Sequence, residues 1–146
     1  MNNNPSKKEI INQAIQFHLR GNIQEATKYY QFCINNEFND HTVFSNYGAI
    51  LQSLDKLKEA HKQDRNNPDI LNYLGFTLRK TGKFEEAEKH YLAGLKIKPN
   101  HNGINEYLGE LYVKTGRVEL AKERLAVLKN CNCEEYAELK EVIEKN

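Results

Sequence analysis

Nothing in this chain of 146 residues pulls it toward a charged polymer. Lys and Arg total 21 against 20 Asp and Glu, a net charge of +1, so neither nucleic acid nor an anionic membrane surface is an expected partner. No apolar stretch approaches the roughly 20 residues that a membrane span needs. The opening Met1-Asn2-Asn3-Asn4-Pro5-Ser6-Lys7-Lys8 has no apolar run resembling a secretory signal. A cytoplasmic location is the expectation that follows. Prolines number only three, and each falls where a helix should begin or end.

Cysteine is equally sparse. Cys33, Cys131 and Cys133 are odd in number and irregular in spacing, which does not make a disulfide framework. Cys33 falls on the inward face of a predicted helix, as a small core residue. Cys131 and Cys133 have one residue between them, too close for the usual zinc knuckle and strained as a bridge. Packing and helix-capping thiols are therefore expected there, with a metal or redox role as the rival. Other chemistry is missing too. Gly103, Gly109 and Gly116 are too scattered for a phosphate loop. His18, His41, His61, His90 and His101 include no pair at a metal-binding helical spacing. The acid pairs Glu85-Glu86 and Glu134-Glu135 lie in first turns of helices, where they favour the dipole. No catalytic residue, metal or cofactor is expected, and an enzyme is the weakest option.

What the chain does have is helical periodicity. Residues 71–99 read Leu71, Leu74-Gly75, Leu78, Gly82, Phe84, Ala87, Tyr91, Gly94 and Pro99: two amphipathic patterns joined at Thr81-Gly82 and closed by proline. Shifted by 34 residues the pattern returns as Leu108-Gly109, Tyr112, Gly116, Val118, Ala121, Leu125 and Leu128. A helix-turn-helix unit with this period resembles the tetratricopeptide repeat. The resemblance covers about residues 7–129 and implies an all-α, right-handed α–α superhelix with a C-terminal capping helix. Repeats are expected at about 7–40, 41–67, 68–101 and 102–133, with the cap at 134–146. Ser6 with Glu9 and Asn22 with Glu25 form capping boxes in the first, degenerate repeat. Asp40, and Asn67 with Pro68, start later helices. Tyr29, Tyr30, Tyr73, Tyr91, Tyr107, Tyr112 and Tyr136 are mostly spacers whose hydroxyls should reach solvent.

The second repeat breaks the rhythm. Ala26 to Ala60 is one full period, but Ala60 to Ala87 is seven residues short, and Asp55 stands where Gly21, Gly82 and Gly116 make turns elsewhere. Seven residues is close to two helical turns, so the face stays in phase. A bent hairpin with a short second helix near 56–64 is expected. The alternating three-and-four spacing of Tyr47, Ile50 or Leu51, Leu54, Leu57 or Lys58, and His61 would also suit one helix over about 41–66, which would let the first repeat pair with another chain as a domain swap. Residues 1–60 further resemble bacterial arrays that precede sulfotransferase or glycosyltransferase domains, and 69–136 resemble short free-standing bacterial repeat proteins. The resemblance implies a fusion of two array fragments with its seam at the shortened repeat.

In this family the first helix of each repeat lines a concave groove that holds peptides or partner helices. The implied groove residues are Ile15, Asn46, Ala49, Asn72, Phe76, Arg79, Glu106, Glu110 and Lys114. The family's best-understood groove clamps a C-terminal carboxylate. Asn46 fits its asparagine place, but Asp69 and Tyr73 stand at its basic places, so that clamp is not expected. The resemblance implies a non-catalytic scaffold binding a protein or peptide partner. A homodimer formed through the shortened repeat is the alternative.

Overall fold

The computed structural model describes residues 5–146. Met1 to Asn4, where the stretch inspected for a leader begins, lie outside the described residues. Eight helices are described: α1 (Lys7–Leu19), α2 (Ile23–Asn35), α3 (His41–Gln63), α4 (Pro68–Lys80), α5 (Phe84–Ile97), α6 (Asn102–Lys114), α7 (Val118–Leu128) and α8 (Glu134–Glu144). None is long and apolar enough to cross a membrane.

Local chemistry sets their ends. Ser6 Oγ accepts from the Glu9 amide while the Glu9 carboxylate accepts from the Ser6 amide at 2.6 Å, a complete capping box. Asn22 supplies only the forward half, accepting from the Glu25 amide. Asp40 Oδ1 caps α3 through the amides of Thr42 and Val43, and Asn67 Oδ1 caps α4 through Asp69 and Ile70. Gly21, Gly82 and Gly116 turn the chain at φ of 73°, 81° and 77°, where any side chain would be strained.

Two compact units divide within α3. The first takes residues up to Lys56 with Lys80–Gly82, and the second takes Leu57–Arg79 with Lys83–Asn146. In the first, α1 and α2 pack as a pair around Ile10, Ile11, Ala14, Ala26, Tyr30, Cys33 and Val43. Burial holds the Cys33 thiol above its ordinary value. In the second, α5, α6, α7 and α8 pack around Leu95, Ile104, Leu108, Leu111, Ala121, Leu128 and Leu139. Each large aliphatic side chain buried there contributes about 1.5–3 kcal/mol. Gly75 lets α4 and α5 approach, since a Cβ at that position would run into the Tyr91 ring. Leu139 of α8 sits over Gly109 of α6 in the same way, so α8 covers that face of α6.

Two expectations are corrected. The second repeat does not bend: α3 is one helix of 23 residues, roughly 34 Å long. The deletion keeps its faces in phase, and Asp55 would have to enter the left-handed region at a cost of about 1 kcal/mol to make the turn. Staying helical is the cheaper course. Cys131 and Cys133 are not capping thiols but a disulfide. Asn132 between them adopts φ 49°, which folds the backbone tightly enough to bring the sulfurs together. Tyr30 and Tyr91 also differ from solvent-reaching spacers, because both are fully buried.

Candidate functional site

α4 and α6 are the first helices of successive pairs and α8 follows the second pair, and in the second unit the side chains of these three helices meet in rows. The Phe76 ring lies 5.0 Å from the Tyr107 ring. The Arg79 guanidinium covers both rings at 5.6 and 5.4 Å and ion-pairs with Glu110 at 2.8 Å. Asn72 rests against Gly103, whose missing side chain makes room for its amide. Each of these three pairs spans 31 positions, one repeat less about one helical turn. That constant offset is what makes neighbouring first helices share a face. At its lower edge His101 caps α6 through Nδ1, which fixes its other nitrogen as donor to Asp69 Oδ1 at 2.6 Å.

Charge on this face is largely internalised. Arg79 and Glu110 neutralise each other with side chains only 14% and 21% exposed. Glu106, 3% exposed, lies against Glu138 of α8. Burial first, then a hydrogen bond to Glu138 and the charges of Glu110, Glu138 and Glu135, push its carboxyl up to about 9. Glu106 is thus neutral at pH 7 and donates its O–H to Glu138. Burial likewise raises the Tyr107 phenol. Asn72 is 8% exposed and its Oδ1 has no hydrogen-bond partner among the described residues. An unmet buried acceptor costs on the order of 1–3 kcal/mol.

The structure therefore brings together Asn72, Phe76, Arg79, Glu106 and Glu110. Lys114 is exposed in the last turn of α6. Ile15, Asn46 and Ala49 belong to the first unit. There Ile15 packs against the core, Asn46 donates to the Tyr30 hydroxyl at 3.0 Å, and Ala49 is exposed on α3. The same Tyr30 hydroxyl meets His18 Nδ1 at 3.0 Å. Sequence reasoning missed Tyr107 and Glu138 as members of the face. The 31-residue offset from Phe76 would have found Tyr107; no spacing rule pointed to Glu138. Among the described residues, no group of three or more His, Cys, Asp or Glu side chains could hold a metal ion.

Paired helices whose first members share a continuous face define the class of helical-repeat interaction modules. The family profile described as tetratricopeptide repeat matches residues 68–101, and the chain is a tetratricopeptide repeat protein. It is 35% identical over 123 residues to the protein named "Protein STIP1 homolog" of Dictyostelium discoideum, covering 74% of this chain and 22% of that one. It is 31% identical over 111 residues to the Hsp70-Hsp90 organising protein of Plasmodium falciparum, covering 71% of this chain and 43% of that one. The chain thus spans less than half the length of these curated relatives. A tetratricopeptide repeat protein from Parabacteroides merdae superimposes with a TM-score of 0.60 at 18% identity, covering 95% of this chain and 59% of that one. Its fold is all-α paired-repeat packing. Both sequence relatives are eukaryotic, so the bacterial type expected from motif texture is not established.

Proposed function

We propose that this protein is a non-catalytic scaffold that binds a segment of a partner polypeptide along the face of α4, α6 and α8. The observation that supports it is the row of paired side chains with one acceptor left over. Phe76, Tyr107 and Arg79 form a fixed aromatic and guanidinium shelf, and Asn72 Oδ1 stands beside it without a donor. A peptide amide could supply that donor while an apolar side chain rests on the shelf. The names of the curated relatives make Hsp70 and Hsp90 the first partners to test. Affinity for each purified chaperone should fall about thirtyfold in Phe76→Ala, in line with an interface anchor worth about 2 kcal/mol. Lys114→Ala, at the exposed rim, should change it less than about threefold. Equal affinities in all three proteins, with helicity intact, would remove this face from the binding site.

A second reading, self-association, has its own support in α3. Phe44, Gly48 and Leu51 occupy the slots that Leu71, Gly75 and Leu78 occupy one repeat later. There the slots are buried, whereas Phe44 is 50% and Leu51 43% exposed, and nothing lies within 4 Å of a Cβ at Gly48. Two such stripes could cover each other in a homodimer. Sedimentation velocity across micromolar concentrations checks this: Phe44→Ser with Leu51→Ser should abolish any dimer, and a wild-type chain that stays monomeric throughout excludes it.

A further inference from the structure

The Cys131–Cys133 bridge lies outside the rows of the groove face, and we propose that it is a reversible redox couple exchanging with small thiols of the glutathione class. The bridge crosses one intervening residue, with Cα atoms 5.2 Å apart. A cross-link stabilises a fold mainly by restricting the unfolded chain, and the effect grows with the logarithm of loop length. Three residues make nearly the shortest loop there is, so holding the fold together is a minor part of what this bridge adds. Its setting suits exchange instead. Both cysteines are half-exposed, and the third cysteine, Cys33, is fully buried, so no exposed third sulfur stands ready to capture the pair. Asn132 holds the left-handed conformation at φ 49°, which asparagine tolerates better than most residues. The backbone is therefore already turned for the ring to open and close.

The two sulfurs are not equivalent. The Cys131 amide donates to the Leu128 carbonyl at the end of α7. Cys133 is the N-cap residue of α8, with extended backbone and a side chain that caps nothing while bridged. Once freed, its sulfur stands at the N-cap, where first-turn amides of α8 can receive a thiolate. The carboxylates of Glu134 and Glu135 in that turn oppose this, but amide hydrogen bonding acts at contact range and their repulsion is screened by water. Cys133 is thus the leaving sulfur. A small thiolate attacks Cys131 Sγ, a new sulfur–sulfur bond forms, and the bridge breaks. The electron pair passes to Cys133 Sγ, which takes a proton from solvent. A second thiolate attacks the small-molecule sulfur of the mixed disulfide, releasing the small disulfide and the Cys131 thiolate, which is protonated in turn. The protein gains two electrons and two protons, and two small thiols are oxidised to one disulfide. The reverse sequence closes the bridge.

The test equilibrates the full chain in mixtures of reduced and oxidised glutathione, traps thiols with an alkylating agent under native conditions, and maps the label by peptide mass. Label on Cys131 and Cys133 should rise together from almost none to nearly complete over about a hundredfold change in the square of reduced glutathione divided by oxidised glutathione, with Cys33 unlabelled. Cys133→Ser should accumulate glutathione on Cys131, and Cys131→Ser several-fold less on Cys133. A bridge that stays closed in excess reduced glutathione, or that never closes in the oxidised form, overturns the couple. Equal adducts in the two variants overturn the choice of leaving sulfur. The wild-type titration decides the first point even if a variant folds poorly.

Discussion

Replacing Glu106 with Gln should make the protein more stable at pH 8 and leave it nearly unchanged near pH 4.5. The folded chain keeps the Glu106 proton up to about pH 9, because the carboxyl is buried against Glu138. The unfolded chain releases it above the ordinary value of 4.5. Between those limits unfolding releases a proton, so wild-type stability falls as pH rises through the window. A glutamine has no proton to lose and can still donate to Glu138. The gain at pH 8 should be about 2 kcal/mol. For a chain of this size that is a rise of roughly 6 °C in the melting temperature. Glu138→Gln removes only the neighbouring charge and should give a smaller gain in the same direction. Urea denaturation of the three proteins at several pH values measures this. Parallel pH profiles for wild type and Glu106→Gln would show that Glu106 is ionised in the folded state.

The second large effect comes from two glycines that occupy the same slot in successive repeats. Gly75→Ala should destabilise the protein by up to about 2 kcal/mol net. Its new methyl meets the ring of Tyr91, which is fully buried and cannot swing aside, and overpacking of a tight core typically costs about 1–3 kcal/mol. That exceeds the roughly 1 kcal/mol that alanine gains over glycine in a helix. Gly48→Ala should have the opposite sign. It lies within α3, its φ is not in the positive range, and nothing stands within 4 Å of the added carbon. The full propensity gain of up to about 1 kcal/mol is then available. Urea midpoints that move the same way in both variants would mean that one of the two slots is packed differently from this description.

The sequence carried the repeat because its slots are short-range and periodic. Leu74-Gly75 and Leu108-Gly109, or Gly82 and Gly116, each mark a contact or turn that only a narrow set of residues allows. The break at the second repeat was visible too, but its outcome was not. Removing two turns of helix preserves the phase of Leu51, Leu54 and Lys58, so the pattern alone suits a hairpin and a straight helix equally. Asp55 in place of a turn glycine was the residue that tipped the balance. The bridge between Cys131 and Cys133 escaped for another reason: it depends on the φ of Asn132, which spacing does not encode.

The candidate face was legible in part, through the residues of α4 and α6, and illegible in its electrostatics. Asn72, Phe76, Arg79, Glu106 and Glu110 were all placed on one helix face by their spacing along α4 and α6. That Glu110 is committed to Arg79, and that Glu106 is neutral because it is buried and hydrogen-bonded to Glu138, are consequences of tertiary contact. A helical wheel shows which way a carboxylate points but not what it meets.

The constant 31-residue offset between α4 and α6 also sets a length scale. Helices in such contact lie about 8–10 Å apart. A left-handed polyproline II strand completes one turn in three residues, an advance of about 9 Å. A guest wound that way would offer the same edge to each rung it crossed. The ladder would then read every third side chain and leave the intervening ones to water.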